Sequence, residues 1–326
     1  MEAEREGGEV LLSVEHLSVS FTRYGRGWKQ KKLMAVRDLN LEVKAGELVA
    51  VVGSSGSGKS LLAHGIMGLL PYNASREGKV MYRNQALTQE RLKKLRGNEM
   101  VLVPQSVSYL DPLMKVGEQV RKGFRDPQSR KKCREVLARY GLGEEAGKLY
   151  PFELSGGMVR RILISTAVQE QPRLVIADEP TPGLHMEAAV RVMGHFQEIA
   201  KEGAGVLVIT HDLDLALKVA DRIVVFYAGT NLEEAAAGDF RDESRLRHPY
   251  TKALYRAMPQ NGFCPVPGSQ PYGDDLPKGC VFWPRCELAE GRCQKPVPYS
   301  RFRGGMVRCW KAAEGVCEKT GSQGRR

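Results

Sequence analysis

An α/β fold with a mostly parallel sheet follows from three features of the sequence. The first is a set of short apolar runs without polar alternation, at 48–52, 174–177, 206–209 and 223–226, as strands covered on both faces require. The second is the helical spacing between them, notably over 187–202 and 213–220. The third is the glycine-rich segment after the first run, followed by Leu61, Leu62, Ile66, Leu69 and Leu70 at helical spacing until Pro71. Strand, glycine loop and helix, then alternating strands and helices, argue a parallel α/β core.

Taken in order, 10–14 and 39–43 are β-rich runs separated by turn and charged residues, and Leu48–Val52 is a buried strand. Between 106 and 170 the pattern changes: 116–124, 129–140 and 158–168 read as helices with no convincing buried strand among them, a helical subdomain inserted into the α/β core. The α/β unit with its helical insert is expected over about 10–240 and a separate, loop-rich, Cys-containing C-terminal tail over 241–310, where periodicity fades. Residues 311–326 are expected to be flexible.

Composition narrows the class. Of 326 residues, 42% are hydrophobic and 27% charged, which excludes collagen-like, coiled-coil and wholly disordered chains. No run approaches 18 apolar residues, so no membrane span is expected. Residues 1–11 carry four acids and no apolar stretch, so a secretory signal is not expected and the cytosol is the expected compartment. The net charge of +11 is concentrated between 23 and 32 and between 121 and 134, read as solvated loops and one helix face. Six of the seven Cys lie after residue 260, and reduced thiols in such a cluster point to a metal or cofactor before disulfides.

The segment Gly53-Ser54-Ser55-Gly56-Ser57-Gly58-Lys59-Ser60 matches the P-loop pattern at every fixed position. Its glycines let backbone N–H groups turn around phosphate oxygens at a helix N-terminus. Lys59 would reach the β- and γ-phosphates and Ser60 would ligate Mg²⁺. Asp178 and Glu179 end an apolar strand: Asp178 is placed for Mg²⁺, Glu179 to polarise an attacking water as general base. His211 follows the strand at 206–209, at the same sheet edge, and is read as a γ-phosphate contact. Leu154-Ser155-Gly156-Gly157-Met158, 23 residues before Asp178 when counted from Ser155, suits anion binding at a helix start.

P-loop, Gln105, Leu-Ser-Gly-Gly, Asp178-Glu179 and His211, in this order and spacing, resemble the ATP-binding cassette (ABC) ATPases over roughly residues 10–240. The resemblance implies an ATPase whose cassettes pair head to tail. Leu154, Ser155, Gly156, Gly157 and Met158 would then face the nucleotide held by the partner's P-loop. It further implies that Gln105 touches Mg²⁺ and senses a membrane partner docked beside the helical insert. An aromatic before the P-loop would stack on adenine, with Phe21 best placed and Tyr24 and Trp28 as rivals. Two positions depart from the family: His185 stands where Asp is usual, and Val159 where a basic residue commonly follows the signature.

Arg247-His248-Pro249-Tyr250 and Cys280-Val281-Phe282-Trp283-Pro284-Arg285-Cys286, with Cys293 and Cys309, resemble the tails of peptide- and nickel-importer ATPases. The resemblance implies a [4Fe–4S] cluster on Cys280, Cys286, Cys293 and Cys309. Zn²⁺ is the chemical rival, although zinc sites favour tighter pairs, and free thiols are the third possibility. Cys133, Cys264 and Cys317 are read as ordinary thiols. The whole is read as the peripheral ATPase of an importer of di- or oligopeptides, nickel or metal chelates at the cytoplasmic membrane face. It would work with two permease subunits, a second cassette (a paralogue, given His185) and indirectly a substrate-binding protein. A soluble ABC ATPase acting on DNA or ribosomes is the alternative, and a single cassette with only a short insert argues against it. A non-hydrolysing regulatory subunit would be expected to lack Glu179, which is present. The four Cys lie outside every nucleotide motif, so a redox role in ATP hydrolysis is not expected, and Cys286→Ser is expected to loosen the tail while leaving ATP affinity almost unchanged.

Overall fold

A computed structural model describes residues 8–24 and 30–312. Two long strands, β1 (Val10–Tyr24) and β2 (Gln30–Lys44), pair antiparallel. Next come β3 (Leu48–Val52), α1 (Lys59–Met67), β4 (Ala74–Tyr82), β5 (Gln85–Ala86), α2 (Gln89–Leu95) and β6 (Met100–Val103). A helical stretch holds α3 (Val116–Val120), α4 (Pro127–Arg139) and α5 (Gly156–Val168). The core resumes with β7 (Leu174–Asp178), α6 (Met186–Lys201), β8 (Gly205–Thr210), α7 (Leu213–Leu217), β9 (Arg222–Tyr227) and β10 (Thr230–Ala236). The tail adds α8 (Pro249–Arg256), β11 (Ser300–Phe302) and β12 (Gly305–Val307).

Two sheets result. One is antiparallel, in the order β2-β1-β4-β5; the other has eight strands, β11-β12-β10-β9-β3-β8-β7-β6. Within the second, β9, β3, β8, β7 and β6 are parallel and the remaining strands antiparallel. Strand β3 is central, and all five of its residues are buried. Its alternate side chains serve different cores. Val49 and Val51 pack with α1 and the antiparallel sheet, whereas Ala50 and Val52 pack with β9 and the tail residues Tyr250, Val281 and Phe282. A third core joins α5 and α6 to the faces of β6, β7 and β8.

Local chemistry fixes the helix starts. Asp126 caps α4, its carboxylate accepting from Ser129 N at 2.9 Å, and Pro127 occupies the first turn, where no N–H is needed. Ser155 caps α5 and accepts from Met158 N at 3.4 Å.

Several elements differ from the sequence reading. Strands β1 and β2 are far longer than expected, because residues at positive φ, His16 (51°) and Asp38 (50°), form irregularities that break the alternation. Strand β6 pairs with β7 just before the helical stretch. The tail is not a separate body of loops, since β12 pairs with β10 and extends the main sheet.

Candidate nucleotide-binding site

The C-terminal end of β3 delivers the P-loop. A side chain at Gly53 would bring its Cβ within 2.2 Å of the Phe226 carbonyl oxygen, and Gly58, at φ 101°, would meet the Ala35 carbonyl oxygen at 2.8 Å. Glycine is therefore obligatory at both places. Lys59 is only 4% exposed; its ammonium donates to the carbonyls of Gly53 (2.9 Å) and Ser54 (2.8 Å). Burial lowers its pKa, and the neighbouring Glu179 and Asp178 carboxylates offset part of that shift. The buried Ser57 hydroxyl has no hydrogen-bond partner among the described residues, and an anionic oxygen would satisfy it.

At the adjoining strand end, Ser60 Oγ donates to Asp178 Oδ1 at 3.1 Å. A hydroxyl beside a carboxylate is the donor set that Mg²⁺ takes. Burial raises the Asp178 pKa, and the Ser60 hydrogen bond opposes it. Glu179 follows at φ 44°, in the left-handed region, with its N–H bonded to Ile209 O at 2.8 Å. Strain of this kind in a non-glycine residue persists where surrounding contacts over-determine it. Its carboxylate bridges two groups: Oε1 lies 3.6 Å from Lys59 Nζ and Oε2 lies 2.8 Å from His211 Nδ1. Lys59, Ser60, Asp178, Glu179 and His211 thus form one connected cluster.

The remaining expected residues stand apart from it. Gln105 is exposed just after β6, and Arg160 of α5 donates to its carbonyl oxygen. Arg160 therefore supplies a basic group next to Val159, which is buried in the helical core. Ser155 and Gly156 are exposed, and no hydrogen bond among the described residues joins Leu154, Ser155, Gly156, Gly157 or Met158 to the P-loop. Phe21 is half-buried in β1, packed on the core beneath the antiparallel sheet. The side chain of Tyr24, and Trp28 entirely, lie outside the described residues. His185 is exposed at the start of α6 and makes no capping bond.

Cys280, Cys286, Cys293 and Cys309 line one cavity of about 20 Å³, room for about one water, with His248, Trp283 and Trp310 in its wall. Among the described residues, no three His, Cys, Asp or Glu side chains are arranged so as to hold a metal ion. The expectation of an assembled metal set is not met by the side chains as they stand. In this environment burial pushes the Cys280 thiol up to about 12 and raises those of Cys286 and Cys309. Cys133 is buried in the helical core, Cys264 is exposed, and Cys317 lies outside the described residues.

Three positions escaped the sequence reading. His248 is fully buried and its Nδ1 accepts from Tyr250 N at 3.0 Å, so Nε2 carries the proton and faces Cys280 Sγ at 3.8 Å. Arg285 and Gln270 tie the tail to the sheet and the P-loop. His248 and Arg285 stand in the His-Pro-Tyr and Cys280–Cys286 runs but were given no role there, and nothing local signalled Gln270.

Fold and site together define a P-loop nucleotide-binding cassette with an added tail. Residues 36–182 match the ABC transporter family and residues 232–293 the C-terminal region of oligopeptide/dipeptide transporters. The oligopeptide transport ATP-binding protein OppD of Escherichia coli (strain K12) is 33% identical over 95% of this chain and 96% of its own length. The dipeptide transport ATP-binding protein DppD of Bacillus subtilis (strain 168) is 34% identical over 93% of this chain and 95% of its own. A solved cassette in a dimeric post-hydrolysis state with ADP and Pi superposes with a TM-score of 0.61 at 28% identity, covering 70% of this chain and 99% of that one. The chain belongs to the ATP-binding subunits of ABC transporters of the oligopeptide/dipeptide type. It is an ABC-type ATPase subunit, and these comparisons lend nothing to a DNA- or ribosome-acting alternative. Among the described residues no helix is long and apolar enough to cross a membrane.

Proposed function

We propose that this chain is one of two cassettes energising an importer of di- or oligopeptides from the cytoplasmic face of the membrane. The observation that carries the reading is the linked cluster of Lys59, Asp178, Glu179 and His211 at the end of β3, β7 and β8. ATP phosphates offer Lys59 charged acceptors stronger than the Gly53 and Ser54 carbonyls. Ser60, Asp178 and Gln105 would hold Mg²⁺, which neutralises phosphate charge when bound. Glu179, freed from Lys59, takes the proton of the attacking water, while His211 orients that carboxylate and meets the γ-phosphate. The exposed Ser155-Gly156-Gly157 turn closes on the nucleotide of the second cassette. His185, in place of the usual Asp, supports a paralogue as that second cassette.

An apolar groove of about 630 Å³ between the end of α1, β6 and the helical stretch supports permease docking. Leu69, Tyr109 and Met114 are exposed along it. The peptide cargo is supported by the names of the relatives and by the C-terminal family. Purified from membranes, the chain is expected to bring two permeases and a second cassette with it. Peptide and its binding protein should then stimulate ATP hydrolysis by the assembly several-fold over the isolated chain. Stimulation by DNA or ribosomes, with no permease attached, refutes this assignment.

The four tail thiols support a soft-metal role. Besides four sulfurs, the cavity wall offers the His248 Nε2–H and Trp310, whose buried indole N–H has no hydrogen-bond partner among the described residues. Cys280, Cys286, Cys293 and Cys309 would hold a [4Fe–4S] group as thiolates, cross-linking loops too sparse in core to order themselves. Anaerobically purified chain is expected to be brown, with about four iron and four sulfide. Cys286→Ser should lose both and make the tail protease-sensitive. One zinc per colourless chain shifts the assignment to zinc; no metal, with all four thiols alkylated in the folded chain, refutes it.

A further inference from the structure

The tail reaches the P-loop. Ser54 Oγ donates to Gln270 Oε1 at 2.6 Å, across more than two hundred residues of sequence. Lys59 holds the carbonyl of the same Ser54 from the other side, at 2.8 Å. Gln270 is half-buried although it lies in a coil segment. Upstream, that segment is pinned by Arg285, whose guanidinium donates to Val266 O (2.9 Å) and Pro267 O (2.8 Å). The same guanidinium donates to the Tyr227 hydroxyl of β9 at 2.9 Å, beside the strand that carries the P-loop. Arg285 immediately precedes Cys286 of the tail cavity.

We infer that Gln270 is a positioning residue of the nucleotide site, and that Arg285 makes its grip on the P-loop depend on the order of the cysteine-lined tail. A loop with glycines at 53, 56 and 58 loses much backbone freedom when it closes on phosphate. A restraint already present in the free chain removes part of that cost from binding. Ser54 and Ser55 are exposed, and from inside, the turn is held at the Ser54 carbonyl by Lys59 (2.8 Å) and, more weakly, by the Ser57 N–H (3.3 Å). Once phosphates draw Lys59 away, the hydrogen bond from Ser54 to Gln270 keeps the turn in place. On this reading Cys286→Ser, which loosens the tail, should also weaken ATP binding, opposite to the expectation from sequence.

The test uses the full chain and a fluorescent ATP analogue, with steady-state hydrolysis alongside. Gln270→Ala should raise Kd and KM about five-fold, the value of one neutral hydrogen bond, with kcat within two-fold of the parent. Ser54→Ala should do the same, and the double variant should bind no more weakly than either single one. Arg285→Lys keeps the charge but loses the fork, and should also weaken binding. An unchanged Kd in Gln270→Ala, or losses that add in the double variant, overturns the role of Gln270. A tail loosened in Arg285→Lys with Kd unchanged overturns the dependence on tail order. Binding by the parent, and its loss in Lys59→Ala, tests the phosphate-loop reading separately.

Discussion

A chain carrying Glu179→Gln is expected to bind ATP about as tightly as the parent and to hydrolyse it roughly 10³-fold more slowly, the span of one general base. That loss corresponds to about 4 kcal/mol of barrier. The substitution is close to isosteric, so the amide oxygen and nitrogen can still face Lys59 and His211, 3.6 Å and 2.8 Å from the present carboxylate oxygens. What disappears is basicity. Affinity resides in the P-loop, where Lys59 keeps its bonds to the Gly53 and Ser54 carbonyls when Glu179 loses its charge, so binding and turnover should separate. Single-turnover phosphate release and equilibrium nucleotide binding measure the two arms. Phosphate release within ten-fold of the parent would remove Glu179 from its role.

Arg247→Met is expected to cost about 3–5 kcal/mol of stability, concentrated where the tail meets the sheet. Glu233 is wholly buried in β10, and its carboxylate accepts from Arg247 N (2.9 Å), Arg247 Nη1 (3.1 Å) and His248 N (2.7 Å). Arg247 also donates to Asp239 Oδ2 at 2.9 Å and to Phe302 O at 2.7 Å, in the turn that carries β11 into β12. Removing the guanidinium leaves a buried carboxylate without its countercharge. Burial already raises the Glu233 pKa, so protonation would relieve part of the cost. Denaturant titration should register the loss, and adding Glu233→Gln to Arg247→Met should recover some of it. A change below 0.5 kcal/mol on the scale of an ordinary surface substitution would show that the pair contributes little.

The catalytic cluster was legible in the sequence because its chemistry demands particular residues at particular strand ends. A glycine loop, a lysine and two acids after an apolar run admit few other readings. The parallel strands were legible for a related reason, burial on both faces, which leaves continuous apolar runs such as Leu48–Val52. Strand β4 was not, because only two of its nine residues are buried and its polar Ser75-Arg76-Glu77 looks like a loop. Strands β11 and β12 are three residues each, too short for any periodicity. The contacts of Gln270 with Ser54 and of Arg308 with Asp38 join segments far apart in the chain, and such pairs leave no local trace. The cysteine quartet was legible as a group but not as a geometry, since spacing along a loop does not fix where the sulfurs point.

The pairing of β10 with β12 also sets an order of events during synthesis. When β10 leaves the ribosome the parallel core behind it is complete, yet its outer edge offers unpaired N–H and C=O groups and the side chain of Glu233. The strand that satisfies that edge, with Glu233 opposite Val307, is translated only after Cys280, Cys286 and Cys293. Until then the nascent cassette carries an open β-edge, the kind of surface on which chains template one another into aggregates. A ribosome that stalls, or a protease that cuts, between the two strands releases a chain whose ATP-binding motifs are all present but whose edge is still open.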